Sequence, residues 1–192
     1  MISVNKLTKY KRIKLLHKYG LNTPCYILIK RGSDTNQIIN LLPSYEYLSI
    51  RTQSPKAGSD LNLPKCVNIS SSNALEKIKY LVNEFDVLVS EAISPDFCIK
   101  CGNIALLKTE IIIEVVYGSG TLDRLTRHGQ VEASWFLNYQ NFKENLEDKE
   151  ILKILKRVTN IPIRDIIIEF SIFSKGVGTL NENYIAWEVI NY

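Results

Sequence analysis

Residues 163–192, IRDIIIEFSIFSKGVGTLNENYIAWEVINY, restrict the fold more than any other stretch. Two runs rich in β-branched and aromatic residues flank a loop carrying Gly and Asn, the composition of two strands joined by a turn. Each run holds one carboxylate among apolar neighbours, Glu169 in IIIEFSIF and Glu188 in YIAWEVI. A charged side chain on an apolar strand costs free energy unless it is paired or bound to a cation. Two dispositions satisfy this. Each Glu can face solvent on an alternating strand, or adjacent strands can bring both carboxylates to one spot. Two hard oxygen donors at one spot suit Mg²⁺, which binds through one or two carboxylates plus substrate phosphates.

The rest of the chain supplies strands for such a pair to join. Leu7 to Tyr19 sets Leu7, Tyr10, Ile13, Leu16 and Tyr19 among Lys and Arg, which predicts a helix stopped by Gly20. Strands are expected at Cys25–Lys30, Tyr45–Arg51, Val67–Ile69, Val87–Ile93, Asn103–Leu107, Glu110–Tyr117 and Glu132–Leu137, with a hairpin turn at Lys108-Thr109. Further helices are expected at Thr35–Leu42, at Ala74–Phe85 behind an Asn73/Glu76 capping box, and at Leu146–Val158. Thr52–Lys65 and Gly118–Gly129 read as loops. The order is mixed α+β, without the steady βαβ alternation of a doubly wound sheet.

With 192 residues and 45% apolar content, the chain can form one domain or two small lobes. The net charge of +4 is spread along the sequence and fits anionic ligands of any kind. No apolar run reaches the roughly 20 residues of a membrane helix, and the start MISVNKLTKYKRIK lacks a signal-peptide apolar core. The expected compartment is the cytoplasm, with Cys25, Cys66, Cys98 and Cys101 as reduced thiols.

Several residues are candidates for chemistry. Arg51 opens a loop with Ser54, Lys56, Gly58 and Ser59. A guanidinium beside free backbone N–H groups can grip phosphate, and the same pattern also describes an ordinary surface loop. Lys9 lies among Lys6, Lys11, Arg12 and Lys14 on a basic helix face. Aromatics are not interleaved there as a stacking platform for nucleic acid. Cys98 and Cys101 form a CxxC that reads as a turn, a redox pair or half of a four-ligand zinc site. His17 reads as structural. His128, beside Arg127 in a polar loop, reads as an exposed loop residue or a phosphoryl acceptor.

Four segments together resemble the ATP-grasp nucleotide-binding domain of the phosphoenolpyruvate synthase and pyruvate phosphate dikinase family. KYKRIKLLHKYGLNTPCYILI is similar to that family's opening, with Lys9 at its phosphate-contacting lysine, although the usual preceding glycines are missing. LSIRTQSPKAGSD is similar to its strand-to-loop segment, with Arg51 at its phosphate-binding arginine. VLVSEAI resembles the strand entering the adenine hinge, which sets Glu91, Ala92 and Ile93 beside the base. DIIIEFSIF…YIAWE resembles the closing strand pair, with Glu169 at a metal-binding glutamate and Glu188 where that family has glutamine; Ile190 replaces its arginine. The resemblance implies a two-lobed α+β ATP-grasp domain, with lobes at residues 1–90 and 91–192. It implies ATP and Mg²⁺ as ligands, Lys9 and Arg51 on phosphates with Arg124 and Arg127 as helpers, and Glu169 and Glu188 on the metal. Phosphate would pass to a small molecule or to a histidine on a separate partner protein. The short length and missing glycines point instead to a reduced relative that binds nucleotide or protein without chemistry.

Overall fold

The computed structural model describes residues 4–34, 45, 47–54, 63–118, 122–126 and 128–192. The expected helix at Thr35–Leu42, the loop residues Lys56, Gly58 and Ser59, and Arg127 lie outside the described residues. The chain divides into two compact units. Unit 1 comprises Met1–Val4, Arg12–Thr23 and Pro95–Tyr192; unit 2 comprises Asn5–Lys11 and Pro24–Ser94. Helix α1 (Lys9–Lys18) is shared between them, and Gly20 ends it with φ of 75°, a left-handed conformation open to glycine.

In unit 2, strands β1 (Ile27–Ile29), β2 (Tyr47–Gln53), β3 (Lys65–Ser70) and β4 (Asp86–Glu91) form an antiparallel sheet in the order β1-β4-β2-β3. Helix α2 (Ser71–Leu81) buries Ala74, Ile78 and Leu81 against Ile29, Leu48, Ile50, Val87 and Val89. The helix starts before the expected Asn73/Glu76 box. Its N-cap is Ser70, in extended conformation and with no side-chain capping bond.

In unit 1, β5 (Cys98–Leu106), β6 (Glu110–Tyr117), β7 (Ala133–Asn138), β8 (Ile166–Val177) and β9 (Glu182–Asn191) form an antiparallel sheet in the order β7-β6-β5-β8-β9. Alternate residues Ile104, Leu106, Ile111, Ile113, Ile166, Ile168, Phe170 and Val189 face the core. There they meet Leu16 of α1, Phe142 of α4 (Phe142–Asn145) and Ile151, Ile154, Leu155 and Val158 of α5 (Lys149–Val158). The expected loop at Gly118–Gly129 contains a short helix, α3 (Leu122–Thr126). Asp148 caps α5 by accepting from the N–H groups of Glu150 and Ile151. It also takes the Lys100 ammonium at 2.7 Å, which fixes the helix start to the sheet. Gly102 sits where β5 and β6 approach closely: a Cβ there would lie 2.3 Å from the Glu114 carbonyl oxygen.

The β8–β9 ribbon is anchored by a buried asparagine. Asn22 Nδ2 donates to the carbonyls of Val177 and Tyr184, and its Oδ1 accepts from the Leu180 N–H. Arg157 Nη1 lies 2.7 Å from the Tyr184 hydroxyl, and the same guanidinium holds both Glu182 oxygens. A buried amide with every group satisfied fixes a ribbon more firmly than apolar contact alone. No helix among the described residues is long and apolar enough to cross a membrane.

Candidate functional site

Glu169 and Glu188 are directly opposed in the β8–β9 register. Opposed residues of an antiparallel pair share a face, so both carboxylates stand on one side of the sheet. That side is the one turned away from α5, because Ile168, Phe170 and Val189 face the core. A β-bulge produces the arrangement. Phe170 pairs with Ala186 and Glu169 with Glu188, which leaves Trp187 as the extra residue. Trp187 and Glu188, successive in sequence, therefore both turn to the open face. Trp187 Nε1 donates to the Ser171 hydroxyl at 2.8 Å, and its ring meets Phe173 edge-on with centroids 6.4 Å apart.

The pair belongs to a longer row. Ser134 opposes Glu114, Glu114 opposes Asn103, and Asn103 opposes Glu169, so one polar residue from each of the five strands crosses the open face. Two carboxylates directly opposed repel one another. Arg12 answers one of them: its Nη2 lies 2.6 Å from Glu188 Oε1, with both side chains about nine-tenths buried. In sequence Arg12 belongs to the basic helix face; its pairing with Glu188 comes from the fold and not from local sequence. Among the described residues no group of three or more His, Cys, Asp or Glu gathers as a metal cage. The pair with its asparagine neighbour is an oxygen donor set of the kind that leaves coordination positions to water and phosphate.

In unit 2, Arg51 lies half-buried on β2, opposite Leu88. It shares a face with Ser49 and Gln53, away from the α2 side where Leu48 and Ile50 pack. Gln53 Oε1 accepts from the Tyr10 backbone N–H at 2.8 Å. The start of α1, and with it Lys9, is thereby held two residues along the strand from Arg51. The amide of Gln53 is itself oriented by donating to Asp86 Oδ2 at 3.2 Å. Asp86 also accepts from Lys30 Nζ and the Arg31 N–H. Burial pushes the Asp86 carboxyl up, but these three bonds outweigh it and hold the group below the ordinary carboxylate range. A folded-state pKa below the unfolded one contributes stability above the unfolded value, about 4, which is lost as pH falls towards the folded value. Asp86→Asn is expected to flatten the acid side of the stability curve below about pH 4, measured by urea denaturation at pH 7, 4 and 3.

Glu91 ends β4 and is exposed, while Ala92 and Ile93 are half-buried; the Ala92 N–H donates to the Tyr47 carbonyl. Arg124, in α3, donates to Gln130, to the Tyr117 carbonyl and to Glu132, the last an ion pair of 2.8 Å. His128 is exposed in a turn, and His17 is exposed on α1. Cys98 and Cys101 lie within β5 and not in a turn, and both are buried. The strand extends through them because β8 pairs with both, across a register shift between Cys98 and Lys100. Burial, assisted by neighbouring Cys98, pushes the Cys101 thiol up to about 11. Iodoacetamide at pH 8 is expected to label the exposed Cys25 first and to spare Cys98 and Cys101 until denaturant is added, as read by peptide mass spectrometry.

No protein-family model and no curated protein sequence matches the chain. Solved structures do. D-Alanine-D-alanine ligase from Helicobacter pylori matches at 15% identity with a TM-score of 0.55, over 98% of this chain and 54% of that one. N5-carboxyaminoimidazole synthase from Aspergillus clavatus, in complex with ADP and 5-aminoimidazole ribonucleotide, matches at 10% identity and 0.56, over 96% and 44%. Macrocyclase MdnC from Microcystis aeruginosa MRC, bound with its precursor peptide MdnA, matches at 12% identity and 0.52, over 94% and 51%. The chain thus spans about half the length of these proteins. Their names are those of a ligase, a synthase and a macrocyclase, so they carry the fold and not the narrower kinship with phosphoenolpyruvate synthase. Two antiparallel sheets with their helices, in this order and matching these enzymes, are the ATP-grasp fold.

Proposed function

We propose that the chain binds Mg-ATP and directs its terminal phosphoryl group to an acceptor. The observation that carries this reading is the register pairing of Glu169 with Glu188 on one open sheet face. An oxygen-only donor pair fits Mg²⁺. Arg12 pairs with Glu188, and a divalent ion would draw on both carboxylates. Bound there, the ion would neutralise phosphate oxygens; positioning and charge neutralisation make up most of what this chemistry asks of a protein. Arg51 and Lys9 supply cations for the phosphates, with Gln53 orienting the helix start that bears Lys9. Glu91, Ala92 and Ile93 border the base. Arg124 reaches a phosphate only by exchanging Glu132 for it, and Arg127 keeps the helper role the resemblance implies.

The narrower kinship with the phosphoenolpyruvate synthase family rests on the matches at Lys9, Arg51 and Glu169, with Glu188 replacing a glutamine. In that form the acceptor is a small molecule or a histidine of a partner protein, and the compartment is the cytoplasm. The ligase and synthase names of the structural neighbours support another outcome of the same first step, in which a carboxylate takes the phosphoryl group and an amine then displaces it. Calorimetry of the whole chain with ATP, with and without Mg²⁺, tests the shared step. Saturable binding that requires the metal is expected, and no binding under either condition overturns the proposal. ADP release across a panel of carboxylates, amines and histidine-bearing proteins then identifies the acceptor; binding without release for any of them assigns a binding module.

A further inference from the structure

Beside the polar row runs an apolar one. Phe136 opposes Ile112, Ile112 opposes Ala105, Ala105 opposes Ile167, and Ile167 opposes Ile190, one residue from each strand of the five-stranded sheet. Each lies two residues from its counterpart in the row Ser134–Glu114–Asn103–Glu169–Glu188, so both rows occupy the open face. Ala105 is small and buried, while Phe136 and Tyr192 are 70% and 65% exposed. A cleft of about 160 Å³ results, lined by Asn103, Ala105, Ile112, Glu114, Ile167 and Tyr192. That volume is close to cavities that hold a six-carbon ring.

Two polar groups of this cleft lack a match. Asn103 Oδ1 is closed off from solvent and accepts no hydrogen bond among the described residues. The half-buried Glu114 carboxylate takes no ion pair or hydrogen bond among the described residues. Buried polar groups in native proteins are ordinarily satisfied, and an orphaned acceptor calls for a partner. Both groups are acceptors, and Asn103 stands between two carboxylates, Glu114 and Glu169, in the row. A ligand that satisfies them brings N–H donors and positive charge. The rest of the lining is aliphatic carbon and one phenol ring, which asks for an apolar substituent. The exposed Tyr192 ring is the wall that can turn aside to admit it.

We propose that this cleft binds a primary ammonium bearing a branched aliphatic or single-ring substituent. Its nitrogen meets Glu114 and Asn103, and its carbons lie on Ala105, Ile112 and Ile167. The cleft adjoins Glu169, so under the proposed function the amine is the second substrate; the inference rests on that reading for this role alone, because the ligand chemistry follows from the lining itself.

Amide-resolved NMR of the whole chain, titrated with isoamylamine without nucleotide, tests the site. Saturable shifts are expected at Ala105, Ile112, Glu114 and Ile167. Affinity should rise about three- to fourfold per methylene from propylamine upward until the cleft is full. Isovalerate, with the same carbon branching and the opposite charge, should bind at least about tenfold more weakly, the factor set by losing a charge-assisted bond. Ala105→Leu, which fills the floor, and Glu114→Gln should each weaken the amine by about the same factor. Equal binding of isovalerate, absence of saturable shifts on β5, β6 and β8, or unchanged affinity in a natively folded Ala105→Leu overturns the site. Should that variant not fold, the amine and acid comparison on the unaltered chain still decides. A parallel Mg-ATP titration keeps the two readings apart: amine binding without nucleotide binding overturns the nucleotide reading alone, and the reverse overturns the cleft alone.

Discussion

Glu169→Gln is expected to lower ATP turnover by about 10²- to 10³-fold, the range seen when one preorganised group that stabilises developing charge is removed. Glutamine keeps the volume and the hydrogen-bonding oxygen of glutamate and removes only the charge. The loss therefore reports on cation holding and not on packing. Replacing Glu188 would also break its ion pair with Arg12, so the charge change at Glu169 is the one measured. Mg-ATP affinity measured by calorimetry should fall with turnover, while affinity for metal-free ATP should change little or rise, since a carboxylate without its ion repels phosphate. Wild-type turnover in Glu169→Gln, or equal losses with and without Mg²⁺, would falsify the assignment of the metal to this pair.

The carboxylate pair was legible in sequence as a pair, but its meaning was not. Each Glu interrupts a nearly continuous apolar run, which marks it as exceptional on its strand without saying which face it takes. Whether the two stand side by side depends on register, and here the register carries a bulge at Trp187. A one-residue slip reverses the face of every residue beyond it, so no local pattern could decide. Arg12 illustrates the same limit. Helix periodicity sets it beside the buried Ile13 and Leu16, yet nothing nearby separates it from its exposed basic neighbours; only the distant Glu188 does. Asn103 and Glu114 were read as parts of hairpin strands, and their place in a transverse row follows from cross-strand pairing alone.

Elements defined by long, uniform runs were easier to locate. Glu110–Tyr117 has the expected bounds, because a β-branched run between turn residues leaves few alternatives. The start of α2 slipped because Ser70, Ser71, Ser72 and Asn73 are all capable caps, and the sequence offers no means of ranking them. The CxxC segment reads in sequence as a turn, a redox pair or half of a zinc site. It is strand because β8 provides a hydrogen-bonding edge for it and because Lys100 between the cysteines finds Asp148 and Glu150, at 2.7 and 2.9 Å. Those partners lie far along the chain, beyond the reach of any local window.

Arg12→Ala is expected to destabilise unit 1 by about 3–5 kcal/mol, because it strands a buried carboxylate without its cation. For a chain of this size that corresponds to a fall in melting temperature of about 10 °C. The cost is the desolvation of the Glu188 charge without the guanidinium and not the net worth of the ion pair, so a second change should return much of it. In Arg12→Ala with Glu188→Gln the buried charge is gone, and the double variant is expected to be more stable than the single one despite carrying more substitutions. A double-mutant cycle by urea denaturation measures this directly. The nucleotide reading adds a further expectation: Mg²⁺ should raise the melting temperature of Arg12→Ala more than that of the unaltered chain, since the ion supplies the positive charge that the guanidinium no longer provides. Equal stability of the single and double variants would remove the buried-charge account. A melting temperature of Arg12→Ala that ignores Mg²⁺ while Ca²⁺ and Mn²⁺ are equally without effect would remove the cation from the carboxylate pair.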